Sequence, residues 1–222
     1  MSARETVFGK IRRSLGVTGA EPARNATVDN RLRTRPRGVI PARGQLPDAE
    51  KLALFIRLAE GSSASVARVA DAAAVPEAVA DFLRQRNLPA AVRMGDDRRL
   101  AAMPWHATQI EVTRGASDGS DAVSVTHAVA GVAESGTLVM TSGTDNPTTL
   151  NFLPETAIVV VAAADVAGDY EAVWDRLRSA HGDGALPRTV NYVTGPSRSG
   201  DIEQILLLGA HGPRNLHIIV VG

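Results

Sequence analysis

The sequence predicts an α/β fold built on an open, mostly parallel sheet with helices on both faces. From residue 48 onward, apolar or β-branched stretches alternate with stretches of helical composition, which is the pattern of such a sheet. Residues 157–162 are apolar throughout, as expected of a central strand buried on both faces. Residues 189–222 read as strand, polar turn, helix, polar turn and strand, which indicates a parallel crossover near a sheet edge.

The composition excludes several classes of protein. The 222 residues carry 24 basic and 24 acidic side chains, so no net field attracts nucleic acid or a membrane surface. There is no cysteine, which excludes disulfides, thiolate catalysis and an iron–sulfur cluster held by thiolates of this chain. The N-terminus lacks the apolar stretch of a secretory signal, and the longest apolar run is much shorter than the ~20 residues that span a bilayer. We therefore expect a soluble cytoplasmic protein without a membrane span.

Residues 1–47 differ in composition from residues 48–222, which are predicted to form the α/β domain. Residues 6–15 predict a short helix. The stretch that follows is rich in arginine and interrupted by proline, so we expect a basic arm with several places where a helix cannot continue. Three interpretations are open: an extended arm on the protein's own surface, a docking arm for an acidic partner, or a contact with nucleic acid. The lack of interleaved aromatic residues argues against the last of these.

The first half of the α/β domain is predicted from periodicity. Asp48 caps a helix over residues 48–60, in which Leu52, Phe55 and Ala59 share one face. The elements that follow are a strand over 65–70, a helix over 76–86, a strand over 90–94, a short helix over 97–103 and an edge strand over 106–112.

The second half of the domain contains many small and apolar residues between polar turns. The predicted elements are a short helix over 128–133, a tight turn over 134–136, strands over 137–141 and 157–162, and a helix over 170–179. The last unit comprises a strand over 189–194, a helix over 201–208 and a strand over 216–221.

The polar turn at residues 195–200 is the first candidate site. A glycine-rich turn before a helix presents unpaired backbone N–H groups and the positive end of the helix dipole, which together attract an anion. Arginines in this turn and the next would hold a carboxylate or a phosphate. The candidate ligand-binding residues are Gly195, Ser197, Arg198, Ser199 and Arg214. The alternative is a capped helix with a surface arginine pair, because Asp201 and Glu203 already satisfy the dipole.

His211 lies in the second polar turn and is open to two interpretations. It is either a hydrogen-bonded structural residue or a general acid or base beside the anion site, since imidazole titrates near neutral pH. The five histidines of the chain lack the spacing of a metal motif, so no metal site is predicted. No Walker loop or G-x-G-x-x-G motif follows a strand, so no ATP or dinucleotide site is predicted either.

Two parts of the sequence resemble the LUD-domain family. Residues 125–138, V-T-H-A-V-A-G-V-A-E-S-G-T-L, are similar to the family segment V-T-x-A-x-x-A-I-A-E-T-G-T-L. Residues 195–203, G-P-S-R-S-G-D-I-E, and 209–214, G-A-H-G-P-R, are similar to its G-P-S-R-T-A-D-I-E and G-x-H-G-P-R. Serine replaces threonine once in each of the first two segments. The resemblance extends over residues 123–221, and the earlier part of the chain fits in length and layout.

The resemblance implies a fold like that of the sugar-phosphate isomerase and CoA-transferase group. It also implies a role in the oxidation of L-lactate to pyruvate, together with two partner proteins that carry the iron–sulfur clusters. The absence of cysteine in this chain agrees with redox centres on those partners. The leading hypothesis is therefore a non-redox subunit or accessory protein of a lactate utilization system that binds a small anionic ligand.

The alternative hypothesis is a stand-alone enzyme of the CoA-transferase or sugar-phosphate isomerase type. By analogy with the CoA-transferases, Glu134 would then be an acyl-forming nucleophile. The other interpretation of Glu134 is that it caps backbone N–H groups of its turn. A third hypothesis is a regulatory ligand-binding module.

Overall fold

The computed structural model describes residues 2–182, 185–200 and 206–222, and the chain divides into two compact units, 1–40 and 41–222.

The first unit forms two helices within its described residues, α1 over Ala3–Leu15 and α2 over Pro22–Thr34. Helix α1 confirms the predicted short helix and begins with a capping box between Ser2 and Glu5. The interpretation of an extended arm does not hold over α2, which is helical and ends before Pro36. Pro22 lies at the first helical position, where its missing N–H breaks no hydrogen bond, and no further proline falls within the helix.

The second unit alternates helices and strands along the described chain. Its helices are α3 (Asp48–Gly61), α4 (Val75–Gln85), α5 (Arg98–Ala101) and α6 (Tyr170–His181). Its strands are β1 (Ser65–Val69), β2 (Ala91–Met94), β3 (Glu111–Arg114), β4 (Val123–His127), β5 (Ala130–Val132), β6 (Thr137–Thr141), β7 (Thr156–Ala162), β8 (Val166–Ala167), β9 (Val190–Val193), β10 (Arg198–Gly200), β11 (Leu206–Leu208) and β12 (Asn215–Val221).

Six of these strands form a parallel sheet in the order β1-β12-β7-β4-β2-β3. A second sheet has the order β8-β5-β6-β9, and β10 and β11 form an antiparallel hairpin. The open parallel sheet of the predicted α/β fold is therefore confirmed. Strand β7 lies inside it between β12 and β4, as its unbroken apolar character predicts.

Three apolar clusters hold these layers together. On one face of the parallel sheet, α4 and α5 pack through Leu83 and Leu100 against Val125. On the other face, Phe55 of α3 and Met140 of the second sheet pack against the same parallel strands. Helix α6 covers the outer face of the second sheet. Helices thus flank the parallel sheet as predicted, and the second sheet shares one of its faces.

The prediction of a parallel crossover in the last third is wrong. Strand β9 pairs antiparallel with β6 in the second sheet, whereas β12 lies between β1 and β7 in the parallel sheet. The predicted helix over 201–208 is also wrong where the structure describes it, because residues 206–208 form β11. Residues 201–205 lie outside the described residues. A short apolar run is compatible with a helix or a strand, and here the pairing with β10 makes residues 206–208 a strand.

A second correction concerns residues 128–133, which are predicted as a short helix. The structure places strand β5 there, with Ala130 and Val132 buried. Gly131 allows this strand to lie directly on Phe55, because a Cβ atom at Gly131 would lie 3.0 Å from the phenyl ring. The small residues of 128–133 suggest a closely packed helix, but in the structure they allow close packing of a strand.

Candidate functional site

The two Gly-Pro turns of the last third lie against each other, and Ser197 connects them. Ser197 N donates to the Pro213 carbonyl at 2.8 Å, and Gly209 N donates to the Ser197 carbonyl at 3.0 Å. His211 N donates to Ser197 Oγ at 3.2 Å, while the His211 residue is exposed. Ser199 lies in the β10–β11 hairpin. The N–H group of Ser197, which the sequence assigns to an anion site, therefore joins the two turns.

Gly195 holds the first turn close to the end of helix α3. Its φ of +70° lies in the left-handed region, and a Cβ atom at this position would clash with the carbonyl oxygen of Ser62. Gly195, Pro196 and Pro213 also line a small space between the two sheets. The turns therefore fill the junction between the sheets.

The structure holds Arg198 and Arg214 by different contacts. Arg198 Nη2 donates to the Ser62 carbonyl at 3.2 Å and to Ser63 Oγ. Arg214 Nη1 lies 3.1 Å from Glu155 Oε1 in an exposed ion pair. Both arginines are exposed, and a guanidinium has five N–H donors, so each retains capacity for a further ligand. The two belong to adjacent turns, but the described contacts do not place them around one shared atom.

Glu134 lies at the start of helix α6. Its Oε1 accepts a hydrogen bond from Tyr170 N at 3.4 Å, beside the cap in which Asp169 Oδ1 accepts from Ala172 N at 2.8 Å. Glu134 is 4% exposed, and its Oε2 has no hydrogen-bond partner among the described residues. A carboxylate at a helix N-terminus satisfies orphan N–H groups and the dipole, so this geometry fits the capping interpretation.

A chain of hydroxyl groups connects the turn of Glu134 to the first Gly-Pro turn. Ser135 Oγ lies 2.8 Å from the Tyr170 hydroxyl, which lies 3.0 Å from Thr137 Oγ1. Thr137 Oγ1 in turn lies 2.6 Å from Thr194 Oγ1, next to Gly195. The structure therefore brings together the two sequence segments that carry the family resemblance, through hydroxyl groups rather than through the predicted charged residues.

Sequence reasoning missed a second polar cluster, formed by Asp97, Arg99 and His127. Asp97 follows β2 and is 3% exposed, and His127 ends β4 and is 8% exposed. Arg99 Nη2 lies 2.6 Å from Asp97 Oδ2, and Asp97 Oδ1 accepts the backbone N–H of Arg99 at 2.7 Å. A strand over 90–94 is predicted before Asp97, but no strand is predicted to end at His127. The shared carboxyl edge of β2 and β4 therefore could not be anticipated from the sequence.

The charges of this cluster act on one another. Burial lowers the pKa of His127 below its usual value, and the charge of Arg99 lowers it further, against opposing effects of Asp97 and Asp165. Burial would raise the pKa of Asp97, but the hydrogen bonds and charge of Arg99 outweigh it and leave this pKa lowered. At neutral pH the cluster therefore contains a neutral imidazole beside an ion pair.

The described part of the chain contains no group of three or more His, Asp or Glu side chains placed to hold a metal ion. Among the same residues, no helix has the length and apolar character needed to cross a bilayer.

A six-stranded parallel sheet, backed by a second sheet and joined to it by two interlocked Gly-Pro turns, defines one class of α/β protein. The LUD-domain model matches residues 52–221, well over half of the chain. The chain belongs to the LUD-domain family.

Named relatives share part of the sequence. Lactate utilization protein C of Geobacillus sp. (strain WCH70) is 36% identical over 105 residues, and Lactate utilization protein C of Bacillus subtilis (strain 168) is 36% identical over 100 residues. Each alignment covers 45% of this chain and 42% of the relative, so the match spans less than half the length of these curated relatives.

A solved structure shares the fold. The crystal structure of a DUF162 family protein from Deinococcus radiodurans superimposes with a TM-score of 0.60 and 23% identity, over 80% of this chain and 99% of that chain. This likeness supports the architecture of the sheets.

Proposed function

We propose that this chain is a non-redox subunit or accessory protein of an iron–sulfur-dependent system that oxidises L-lactate. The observation that carries the proposal is the LUD-domain match, together with the relatives named lactate utilization protein C. The sequence motifs of the two Gly-Pro turns support the same assignment.

The chemistry of lactate oxidation requires partner proteins. Conversion of a secondary alcohol to a ketone releases two electrons and two protons, and an acceptor has to take the electrons. This chain has no cysteine with which to hold an iron–sulfur cluster by thiolates. Two partner proteins that carry iron–sulfur clusters would accept the electrons, and this chain would contribute binding and positioning.

The exposed surface around Ser197 is the proposed contact for a small anionic ligand. Arg198 and Arg214 contribute positive charge from adjacent turns, and the exposed His211 lies beside them. Each guanidinium has donors beyond those used on Ser62 or Glu155, so a carboxylate has hydrogen-bonding partners here without disruption of the turns.

The test is a reconstitution of lactate-dependent dye reduction from the two iron–sulfur partner proteins, with and without this chain. We expect the rate to fall at least about tenfold when the chain is omitted, which corresponds to ~1.4 kcal/mol. The double variant Arg198→Gln with Arg214→Gln should restore little of the rate. Arg57→Gln, an exposed arginine of α3, is the matched control and should restore all of it.

Undiminished activity without this chain would contradict the proposal and favour the alternative, a stand-alone enzyme of the CoA-transferase or sugar-phosphate isomerase type. The observation that favours that alternative is Glu134 Oε2, which has no hydrogen-bond partner in the described part of the chain. An acyl-CoA-dependent mass increase on Glu134 would then identify it as the nucleophile.

A further inference from the structure

The order of strands in the parallel sheet creates a crevice between β2 and β4. These strands are neighbours, but their successors in the same sheet lie on opposite sides. Strand β3 follows β2 on one side, and β7, which the chain reaches after β5 and β6 of the second sheet, follows β4 on the other. Where neighbouring parallel strands connect in opposite directions, ligands bind outside the carboxyl ends of the strands. This crevice therefore lies beyond Met94 and His127, the last residues of the two strands.

The two strands pair at a single position before this end. Their ladder consists of the pair Arg93 and Ser124, whereas β4 pairs with β7 along its whole length. The loop after β6 lies against the carboxyl end of β2, because a Cβ atom at Gly95 would clash with the carbonyl oxygen of Asp145. Gly95 thus allows backbone to form one wall of the crevice.

The polar cluster of Asp97, Arg99 and His127 lies at this crevice. Asp97 and His127 are its buried members, and Arg99, whose side chain is 48% exposed, is the outer member. Arg99 binds Asp97 through Nε and Nη2, and its Nη1 makes no hydrogen bond with the described residues. His127 Nδ1 is buried and likewise has no partner among the described residues. Buried polar atoms are nearly always hydrogen-bonded, so this buried nitrogen is available to a ligand that enters the crevice.

We propose that this crevice binds a small 2-hydroxy or 2-oxo carboxylate. Arg99 pairs with the carboxylate through Nη1, and His127 hydrogen-bonds to the oxygen on the neighbouring carbon. Asp97 keeps the guanidinium in position through its other edge, which suits the two-sided geometry of arginine.

The imidazole explains why both oxidation states of the ligand are accepted. A neutral histidine has one donor nitrogen and one acceptor nitrogen, so it can accept from a hydroxyl group or donate to a keto oxygen. A carboxylic acid without an oxygen at carbon 2 leaves this nitrogen unpaired and should bind less tightly. The choice of lactate and pyruvate as probes rests on the proposed function, whereas the crevice itself is argued from the sheet.

The test is direct binding to the isolated full chain, followed by the NMR signals of its histidine C–H groups. The His127 signals are assigned by their loss in His127→Gln. L-lactate and pyruvate are titrated at constant ionic strength, with propionate as the matched acid that lacks an oxygen at carbon 2. We expect saturable shifts of the His127 signals with L-lactate and pyruvate at millimolar concentrations or below, and at least about tenfold weaker binding of propionate.

Variants locate the carboxylate. Arg99→Gln should weaken binding of L-lactate at least about tenfold, while Arg98→Gln, its exposed neighbour, should leave binding unchanged. The comparison of L-lactate with propionate on the unmodified chain needs no variant and decides the question if Arg99→Gln fails to fold. Equal shifts with propionate, or no saturable shift of His127, would overturn the proposal. Neither result depends on the partner proteins, so failure here is distinct from failure of the proposed function.

Discussion

His217 is a buried histidine whose surroundings favour the neutral form. It lies in β12 and is 6% exposed, with its ring stacked on Phe82 at a centroid distance of 4.1 Å. Its Nδ1 lies 2.8 Å from Ser65 Oγ. Burial, with a further contribution from the charge of Arg86, lowers the pKa of His217 to about 4.

This pKa predicts that the protein loses stability in mild acid. The unfolded chain takes up a proton at His217 below pH ~6.5, whereas the folded chain does so near pH 4. The free energy of unfolding should therefore fall by about 3 kcal/mol from pH 6.5 to pH 4 through this group, and level off below that. Urea unfolding at several pH values measures the slope.

The matched variant for this measurement is His217→Gln, which cannot take up the proton. The free energy of unfolding of this variant should depend less steeply on pH between 6.5 and 4 than that of the unmodified chain. His127 should account for part of the remaining pH dependence, because burial lowers the pKa of His127 as well. An identical slope in both proteins would contradict the prediction.

At the residue scale, the sequence predicts the segments of the candidate site better than their contacts. Ser197 and Gly195 are singled out by their motif, and both lie where the turns meet. Asp97 and His127 are 30 positions apart, and their proximity depends on β2 and β4 being neighbours in the sheet. No local pattern contains that information, because strand order is decided by the packing of the whole sheet.

At the element scale, Asp169 supports helix α6 and the segment before α3 at once. Its Oδ1 accepts from Ala172 N at 2.8 Å, and its Oδ2 accepts from Gln45 Nε2 at 2.8 Å. Asp169→Ala removes both hydrogen bonds and should lower the free energy of unfolding by about 2 kcal/mol. Chemical denaturation measures this change.

Asp169→Asn is the control for this prediction. Asparagine is as good an N-cap as aspartate and retains an acceptor oxygen, so we expect it to keep most of the stability. If alanine and asparagine destabilise the protein equally, the cap of α6 contributes nothing and the loss has another cause.

Periodicity predicts an element well when its packing is strongly one-sided. Helix α4 follows its predicted range within a residue, because its buried residues recur at helical spacing. Strands β1 and β6 also match their predicted ranges, although β6 is buried along its whole length and β1 shows no alternation. The errors at 128–133 and, within the described residues, at 206–208 fall on short runs of small or aliphatic residues. For such runs, the neighbour that supplies backbone hydrogen bonds decides between helix and strand, and that neighbour is distant in sequence.

At the scale of the molecule, the unit 41–222 contains its own apolar cores. Every residue of the three clusters falls between Leu46 and Val221. A chain of residues 41–222 should therefore fold cooperatively, with a thermal midpoint within ~3 °C of the full chain, which corresponds to about 1 kcal/mol. Calorimetry of both chains checks this. The loss of a cooperative transition would contradict it.

A shorter chain tests where the boundary lies. The sequence predicts the domain from residue 48, but Gln45 binds Asp169 and Leu46 packs on the core. A chain of residues 48–222 lacks both contacts and should be less stable than 41–222 by about 1 kcal/mol or more. Equal stability of the two chains would place the boundary at residue 48.

The arrangement of two sheets is the part of the fold that the sequence predicts least. The sequence of strand β9 suits the parallel sheet, yet β9 pairs with β6 in the second sheet. A hydroxyl contact between Thr137 of β6 and Thr194, the residue after β9, adds to this pairing. The parallel sheet itself is predictable because fully apolar strands such as β7 need cover on both faces. What supplies that cover, a helix or a second sheet, is a property of tertiary packing.

The close contact of Gly195 with Ser62 has a consequence for how proteins of this kind are recognised. The Gly-Pro-Ser-Arg signature that identifies the chain describes how a turn fits onto the end of helix α3, through a missing side chain and backbone hydrogen bonds. A search with that signature retrieves proteins that share this contact between the turn and the end of helix α3. Such proteins can still differ in the ligand they bind at the sheet edge, since Asp97, Arg99 and His127 lie outside this signature.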